Sequence, residues 1–229
     1  MLYIDSADRS ELAALLSTGL FAGVTTNPKI LAASDVHLAD IAGLVDWVHE
    51  NGGKRVFAQA VGLDEASLRA SARALVELPV TVKLVCTLPG LTVARELADE
   101  GHQVLLTAVY HPGQMLLAEA AGAAFVAPYV GRSDDQGRDG VGMVRMMSQL
   151  LGRRPAGVPV PRVVAASLRS PDQVAALAVA GADDFAISPL LARQMADEQL
   201  TCAAAEEFDT IHQRQSGQHY ISGLAAAPR

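Results

Sequence analysis

At 229 residues the chain is long enough for one large barrel domain or for two small ones. Hydrophobic residues make up 50% of it and aromatics only 4%, so a core must be built from Ala, Val, Leu and Ile, which favours helices packed on a buried parallel sheet. A formal net charge of −7 argues against a general nucleic-acid binder and against adhesion to anionic membranes, while leaving room for a local basic pocket. The two cysteines, Cys86 and Cys202, set no disulfide pattern, which suits a reduced compartment. No apolar run has the length of a membrane span, and the start MLYIDSADRS lacks the basic and apolar regions of a signal peptide. The expected location is the cytoplasm.

In chain order, Leu2-Tyr3-Ile4-Asp5 reads as a first strand ending at a carboxylate, followed by a helix over 11–17. Gly23-Val24-Thr25-Thr26 is the second strand, broken by Asn27-Pro28. A helix over 38–50 places Ile41, Leu44, Val45 and Val48 on one stripe. The third strand covers 56–61 and the next helix 64–78. The fourth strand, 81–87, lies between Pro79 and Pro89-Gly90. Helix 91–100, strand 104–109, helix 112–121 and strand 125–130 follow. Residues 131–140 read as a polar loop, then come helix 141–151 and a connection rich in Arg, Gly and Pro. Strand 162–167, helix 171–180, strand 184–188 and a short helix 189–195 close the series.

Eight strands alternating with helices predict a single α/β domain over 1–199, a (β/α)8 TIM barrel. Residues 200–229 are expected to form an extra amphipathic helix over 200–213 and a tail without clear period, reaching a neighbouring subunit. A doubly wound sheet is the alternative, but the first strand ends in Asp-Ser-Ala, without a glycine-rich phosphate turn.

Lys83 stands in the middle of the apolar fourth strand. A lysine is rarely buried, since its ammonium resists leaving water, and burial favours the neutral amine, a nucleophile toward carbonyls. A Schiff-base lysine is one reading. An edge-strand lysine facing water, or one paired with a carboxylate, is the other. The strand frame weighs on the choice. Polar residues recur late in successive strands: Asp5, Thr26 with Asn27, Gln59, Lys83, Thr107, Tyr129 and Ser167. Alternation puts Phe57, Gln59 and Val61 on one face, as it does Thr81, Lys83 and Val85, and Leu105, Thr107 and Val109. A lone strand Thr or Gln is usually a satisfied core group, but seven at one depth suggest a shared site.

The residue types fit class I aldol chemistry, in which a protonated imine is the electron sink and neither metal nor cofactor is needed. Lys83 would form the imine, Asp5 would hold its ammonium, help dehydrate the carbinolamine or orient substrate hydroxyls, Tyr129 would move a proton directly or through water, and Gln59 and Thr107 would position that water. None of the six histidines has metal-ligand spacing at a strand end, so no metal is expected, and Cys86 reads as a small buried residue. Ser167 and Arg169, at a strand end before a helix, with Arg132 after the sixth strand, either bind phosphate or are ordinary solvated residues.

At these residues the chain resembles the transaldolase family, most closely its small fructose-6-phosphate aldolase branch. The matching stretches are Leu2 to Asp5, Gly23 to Pro28, Val82-Lys83-Leu84, Thr107 to Tyr110, Ala127 to Arg132 and Ala166-Ser167. Gln59 and Tyr129 resemble the aldolases, where transaldolases use glutamate and commonly phenylalanine. Val85 departs from the proline usual in small members and looks more like the larger transaldolases. The resemblance implies an imine between Lys83 and dihydroxyacetone or a related hydroxyketone, with an aldehyde such as glyceraldehyde 3-phosphate as the other reactant. It implies donor contacts from Asp5 and Asn27, a catalytic water held by Tyr129, Gln59 and Thr107, and an acceptor phosphate met by Arg132, Ser167 and Arg169. Thr26 belongs to the same signature and is a further candidate for substrate binding. The resemblance also implies a ring-type homo-oligomer, a pentamer or decamer, acting on small sugars or sugar phosphates. A transaldolase, an isomerase or lyase with a non-covalent lysine, and a non-catalytic sugar-phosphate-binding barrel remain the other readings.

Overall fold

In the computed structural model, residues 1–155 and 157–215 are described. Eight strands close into one barrel in sequence order, every neighbouring pair parallel. The strands are β1 (Leu2–Asp5), β2 (Gly23–Thr25), β3 (Arg55–Gln59), β4 (Thr81–Val85), β5 (Val104–Val109), β6 (Phe125–Pro128), β7 (Arg162–Ala165) and β8 (Asp184–Ile187). Between and after them run α1 (Arg9–Leu16), α2 (Pro28–Ala33), α3 (Ile41–Glu50), α4 (Glu65–Val76), α5 (Leu88–Asp99), α6 (Gln114–Ala120), α7 (Val130–Asp135), α8 (Gly140–Leu151), α9 (Pro171–Ala180), α10 (Pro189–Ala196) and α11 (Gln199–Gln215). This is the (β/α)8 barrel expected of the strand rhythm. The chain divides into two compact units, the first Met1–Ala192 and the second starting at Arg193, a few residues earlier than the expected boundary. The expectation for the tail beyond Gln215 lies outside the described residues.

Strand alternation sorts the core into two layers. Outward residues such as Ile4, Val24, Val56, Ala58, Val82, Leu84, Leu106 and Val126 join the helices in the main apolar cluster. Inward residues Tyr3, Phe57, Leu105, Phe125, Ala127, Val164 and Ala186 form a second cluster inside the barrel. Tyr3, Phe57 and Phe125 stack edge to face there, with centroids 5.0 and 5.3 Å apart, a geometry that suits ring quadrupoles. Beneath them, at the N-terminal end of the strands, lies a charged layer. The Arg55 guanidinium rests on Phe125 at 4.9 Å and donates to Thr81 and Gln103. Arg162 makes two bonds, 2.8 and 2.9 Å, to the fully buried Asp184. Burial pushes the Asp184 carboxyl up, but these bonds and the terminal amine outweigh it and hold it below the usual range.

The sequence reading differs from the structure at three elements that matter for the site. Residues 131–140 are not a loop: α7 forms because Ser133 Oγ bonds back to the Tyr129 carbonyl, and Asp134 then accepts from Gly140 N–H to launch α8. Asn27-Pro28 ends β2 as expected but also starts α2, with Asn27 as its cap and Pro28 in its first turn. In β5, Ala108 has φ 56°, and the register with β6 shifts between Leu106 and Val109. That left-handed residue interrupts the alternation, so Val109 joins the outer core instead of sharing an inward face with Thr107. Among the described residues no helix is long and apolar enough to cross a membrane.

Candidate active site

The C-terminal end of the barrel opens into a cavity of about 270 Å³ with Lys83 in its wall. Asp5, Thr25, Asn27, Tyr129, Arg132, Ser167 and Arg169 line it too. It therefore brings together seven of the ten site residues named from the sequence. Barrel walls are rigid, so strand-borne groups are well suited to hold a reacting centre.

Lys83 is only 4% exposed, which settles its strand in favour of a buried lysine. Its Nζ donates to the Thr26 carbonyl at 2.8 Å. Moving an ammonium into such surroundings costs several kcal/mol, about what shifts a lysine toward its neutral form. Burial lowers the Lys83 pKa, and the charge of Asp5 opposes the shift. Asp5 behaves as the mirror image: burial raises its pKa, while Lys83 and a short bond from the Thr25 hydroxyl pull it back. Burial dominates for both partners, so both are drawn toward their uncharged forms. A neutral amine can attack a carbonyl, and a carboxyl group beside it can pass a proton to the departing hydroxyl.

Thr25 is the site residue the sequence reading missed. β2 pairs Thr25 with Asp5, and the inward frame runs through Gly23 and Thr25. Alternation from Gly23 would have selected it. Thr26, the neighbour named instead, turns its hydroxyl to the Phe57 carbonyl at 3.0 Å and is fully buried. Its part in the site is its own carbonyl, which accepts from Lys83.

Tyr129 follows β6 and bridges to Ala166. Its hydroxyl accepts from Thr107 Oγ at 3.1 Å, and Tyr110 packs edge-on to its ring. Burial raises the Tyr129 pKa, against the opposing bond from Thr107, so the phenol keeps its proton and can donate it. Thr107 is fully buried and acts behind Tyr129 rather than in the cavity wall. Gln59 lies beside Lys83 in the strand register, yet its side chain lines a neighbouring cavity with Pro28, Leu31, Asp35 and His37. By alternation it shares the inward face of Phe57, the face that carries Lys83 on the next strand.

Three loops complete the rim. Asn27 Oδ1 accepts from the backbone N–H groups of Lys29 and Ile30, leaving its NH2 as the donor it can offer. Ser167 has φ 62°, a strained setting for a non-glycine residue, and its carbonyl accepts from Gly131 N–H at 2.9 Å. Position 131 needs glycine: an added Cβ would stand 2.1 Å from that carbonyl and 3.0 Å from the Arg169 side chain. Arg132 lays its guanidinium over the Tyr129 ring at 4.8 Å, and Arg169 pairs with Asp135 at 2.9 Å.

Every buried side-chain nitrogen and oxygen among the described residues has a hydrogen-bond partner. Among the same residues no group of three or more His, Cys, Asp or Glu side chains is placed to hold a metal ion. The Cys86 thiol is pushed up by burial, making it a poor nucleophile, and His111 is exposed with Nδ1 accepting from Gly113.

The family profile described as Transaldolase/Fructose-6-phosphate aldolase matches residues 2–224. A probable transaldolase of Rhizorhabdus wittichii is 33% identical over 208 residues, 90% of this chain and 93% of that protein. One from Hyphomonas neptunium is 34% identical over 90% of this chain and 94% of its own length. Another, from Rhodospirillum centenum, is 34% identical over 222 residues, 96% of this chain and 93% of its own. With a buried lysine at the mouth of a parallel barrel and a match over nearly its whole length, the chain belongs to the transaldolase/fructose-6-phosphate aldolase family.

Proposed function

We propose that the protein is a class I aldolase joining dihydroxyacetone or a related hydroxyketone to an aldehyde such as glyceraldehyde 3-phosphate, and cleaving the product in reverse. The observation that carries this is Lys83, buried at the barrel mouth with its pKa lowered and Asp5 beside it. The neutral amine adds to the ketone carbonyl, and loss of water gives a protonated imine. Loss of a proton from the adjacent carbon gives an enamine. That carbon attacks the aldehyde carbon, and the new alkoxide takes a proton. Water then hydrolyses the imine, releasing the ketose and restoring the amine. Asp5 and the Asn27 amide hold the donor, and the Thr107–Tyr129 pair moves protons between water and the carbon next to the imine. Gln59, the register partner of Lys83, positions that water with them. Arg132, Ser167 and Arg169 form the acceptor end.

A second reading is favoured by the relatives, each called a probable transaldolase. Such an enzyme keeps the donor on its lysine until an acceptor sugar arrives. Incubation with fructose 6-phosphate alone decides between them. The aldolase releases free dihydroxyacetone at many turnovers per site, whereas no free dihydroxyacetone at any stage, with a seven-carbon ketose phosphate formed once erythrose 4-phosphate is added, would establish the transferase.

The protein is further proposed to assemble as a ring, with α11 reaching a neighbouring subunit. Leu200, Phe208 and Ile211 are large exposed apolar residues on that helix. Light scattering before and after removal of residues 199–229 tests this: an unchanged number of subunits per particle would refute it.

A further inference from the structure

Lysine is scarce in this chain: it has three, Lys29, Lys54 and Lys83. Two of the three line the catalytic cavity. Lys83 is buried in its wall, while Lys29 is exposed on its rim, one residue into α2. The Lys29 backbone is fixed there by the Asn27 cap at 2.9 Å, so its side chain starts from a defined point beside a group already in the site.

The cations around this cavity are not equivalent. Arg169 is already held by Asp135. Lys83 is buried against the Thr26 carbonyl and the charge of Asp5. Asp5 is the one carboxylate in the lining, and it is engaged by Thr25. Among the described residues neither Lys29 nor Arg132 has a carboxylate within ion-pair distance, though Arg132, over the face of Tyr129, also feels the charge of Asp5. A chain of net charge −7 thus leaves two cations without an ion-pair partner at the mouth of its catalytic cavity. Such a pair attracts a dianion far more than a neutral sugar.

We propose that Lys29 is the specificity-determining residue for the acceptor, its ammonium acting with Arg132 to bind the anionic end of a phosphorylated aldehyde. This rests on the aldolase reading of the site. Asp135 restrains Arg169, so Lys29 supplies the charge that Arg169 would otherwise bring. An ammonium is a point charge suited to a freely rotating phosphate, and Arg132 adds planar donors.

Calorimetric titration with glycerol 3-phosphate, which has no carbonyl to react, tests the assignment without turnover. The wild type binds it. Lys29→Ala binds at least about tenfold more weakly, the loss of one charge-assisted contact, and its binding depends less on salt. Lys29→Arg stays within about threefold of the wild type, because charge is what matters. In steady-state assays the KM advantage of glyceraldehyde 3-phosphate over glyceraldehyde shrinks correspondingly in Lys29→Ala. Wild-type affinity in Lys29→Ala, equal loss in Lys29→Arg, or no binding by the wild type would each overturn the proposal. Trapping of dihydroxyacetone by borohydride on the wild type keeps the two claims apart. If no adduct forms while the titrations behave as expected, the aldolase reading fails and the phosphate-binding role of Lys29 stands.

Discussion

Lys83 and Asp5 are two groups of opposite type that share one dry corner, and each alters the proton affinity of the other. The direction of the Lys83 shift has a kinetic consequence. Its neutral fraction rises with pH through a midpoint below the ordinary lysine value of about 10.4. Adduct formation with dihydroxyacetone, measured across pH, is expected to rise and level off below that value. Asp5→Asn removes the charge that holds Lys83 up, so the midpoint moves lower still. A midpoint at the ordinary lysine value in the wild type would show that burial does not tune the amine. Stability carries the same sign. Because the folded state binds the Lys83 proton less well than the unfolded chain, this group destabilises the fold below its depressed pKa. That penalty fades as pH rises from the depressed value toward about 10.4. At the residue scale, then, the lysine was legible, because its surroundings in Thr81 to Val85 are so apolar. Thr25 and Lys29 were not. One is hidden in a run of two threonines, where only the strand frame tells inside from outside. The other looks like any exposed lysine until α2 brings it to the rim.

The elements differ in how well the chain announces them. β4 and β5 are continuous apolar runs and were placed with nearly their observed bounds. α7 was invisible because its six residues, VGRSDD, carry no apolar period, and it is held by Ser133 bonding back to Tyr129 and by the seating of Gly131 against the strained turn at Ser167. The bulge at Ala108 was equally silent, since alanine gives no hint of a left-handed backbone. The contact between α7 and the turn at Ser167 carries a prediction. Gly131→Ala forces a Cβ into the Ser167 carbonyl and the Arg169 side chain, so the turn must move. The expected cost in unfolding free energy is about 1–3 kcal/mol, typical of overpacking. The KM for a phosphorylated acceptor should rise with it, as Ser167 and Arg169 leave the cavity wall. Unchanged stability and KM would mean that α7 yields without strain.

Within the barrel, the reactive pair lies at one end of the strands and a hydrogen-bonded charge layer at the other. The distinction is not evident from residue types, because Arg55, Arg162 and Asp184 at the starts of strands read like ordinary surface charges. Closure of the barrel buries Asp184 and brings the two arginines to the same end of the strands, Arg162 still exposed. Asp184 is fully buried, so removing Arg162 leaves its carboxylate with the terminal amine as its remaining cation. Arg162→Met should lower the unfolding free energy by about 1–3 kcal/mol in urea titrations, the scale of lost hydrogen bonds to a charged group. Linkage gives the pH window. The depressed folded pKa of Asp184 adds stability above its unfolded value of about 3.9, which is lost as pH falls through the folded value. That acid-side loss should be smaller in Arg162→Met. An equally stable variant would show that the layer is incidental to the barrel.

The central claim is that Lys83 is a covalent nucleophile, and the scarcity of lysine makes it open to a direct test. With only Lys29, Lys54 and Lys83 in the chain, a borohydride-reduced adduct can be assigned to one residue by peptide mass spectrometry. Treatment with dihydroxyacetone, and separately with fructose 6-phosphate, should leave the reduced donor on the Lys83 peptide. Lys83→Met, folded by circular dichroism, should show none. An adduct on Lys29 or Lys54 instead, or none from either donor or a wider panel of ketones, would contradict the account.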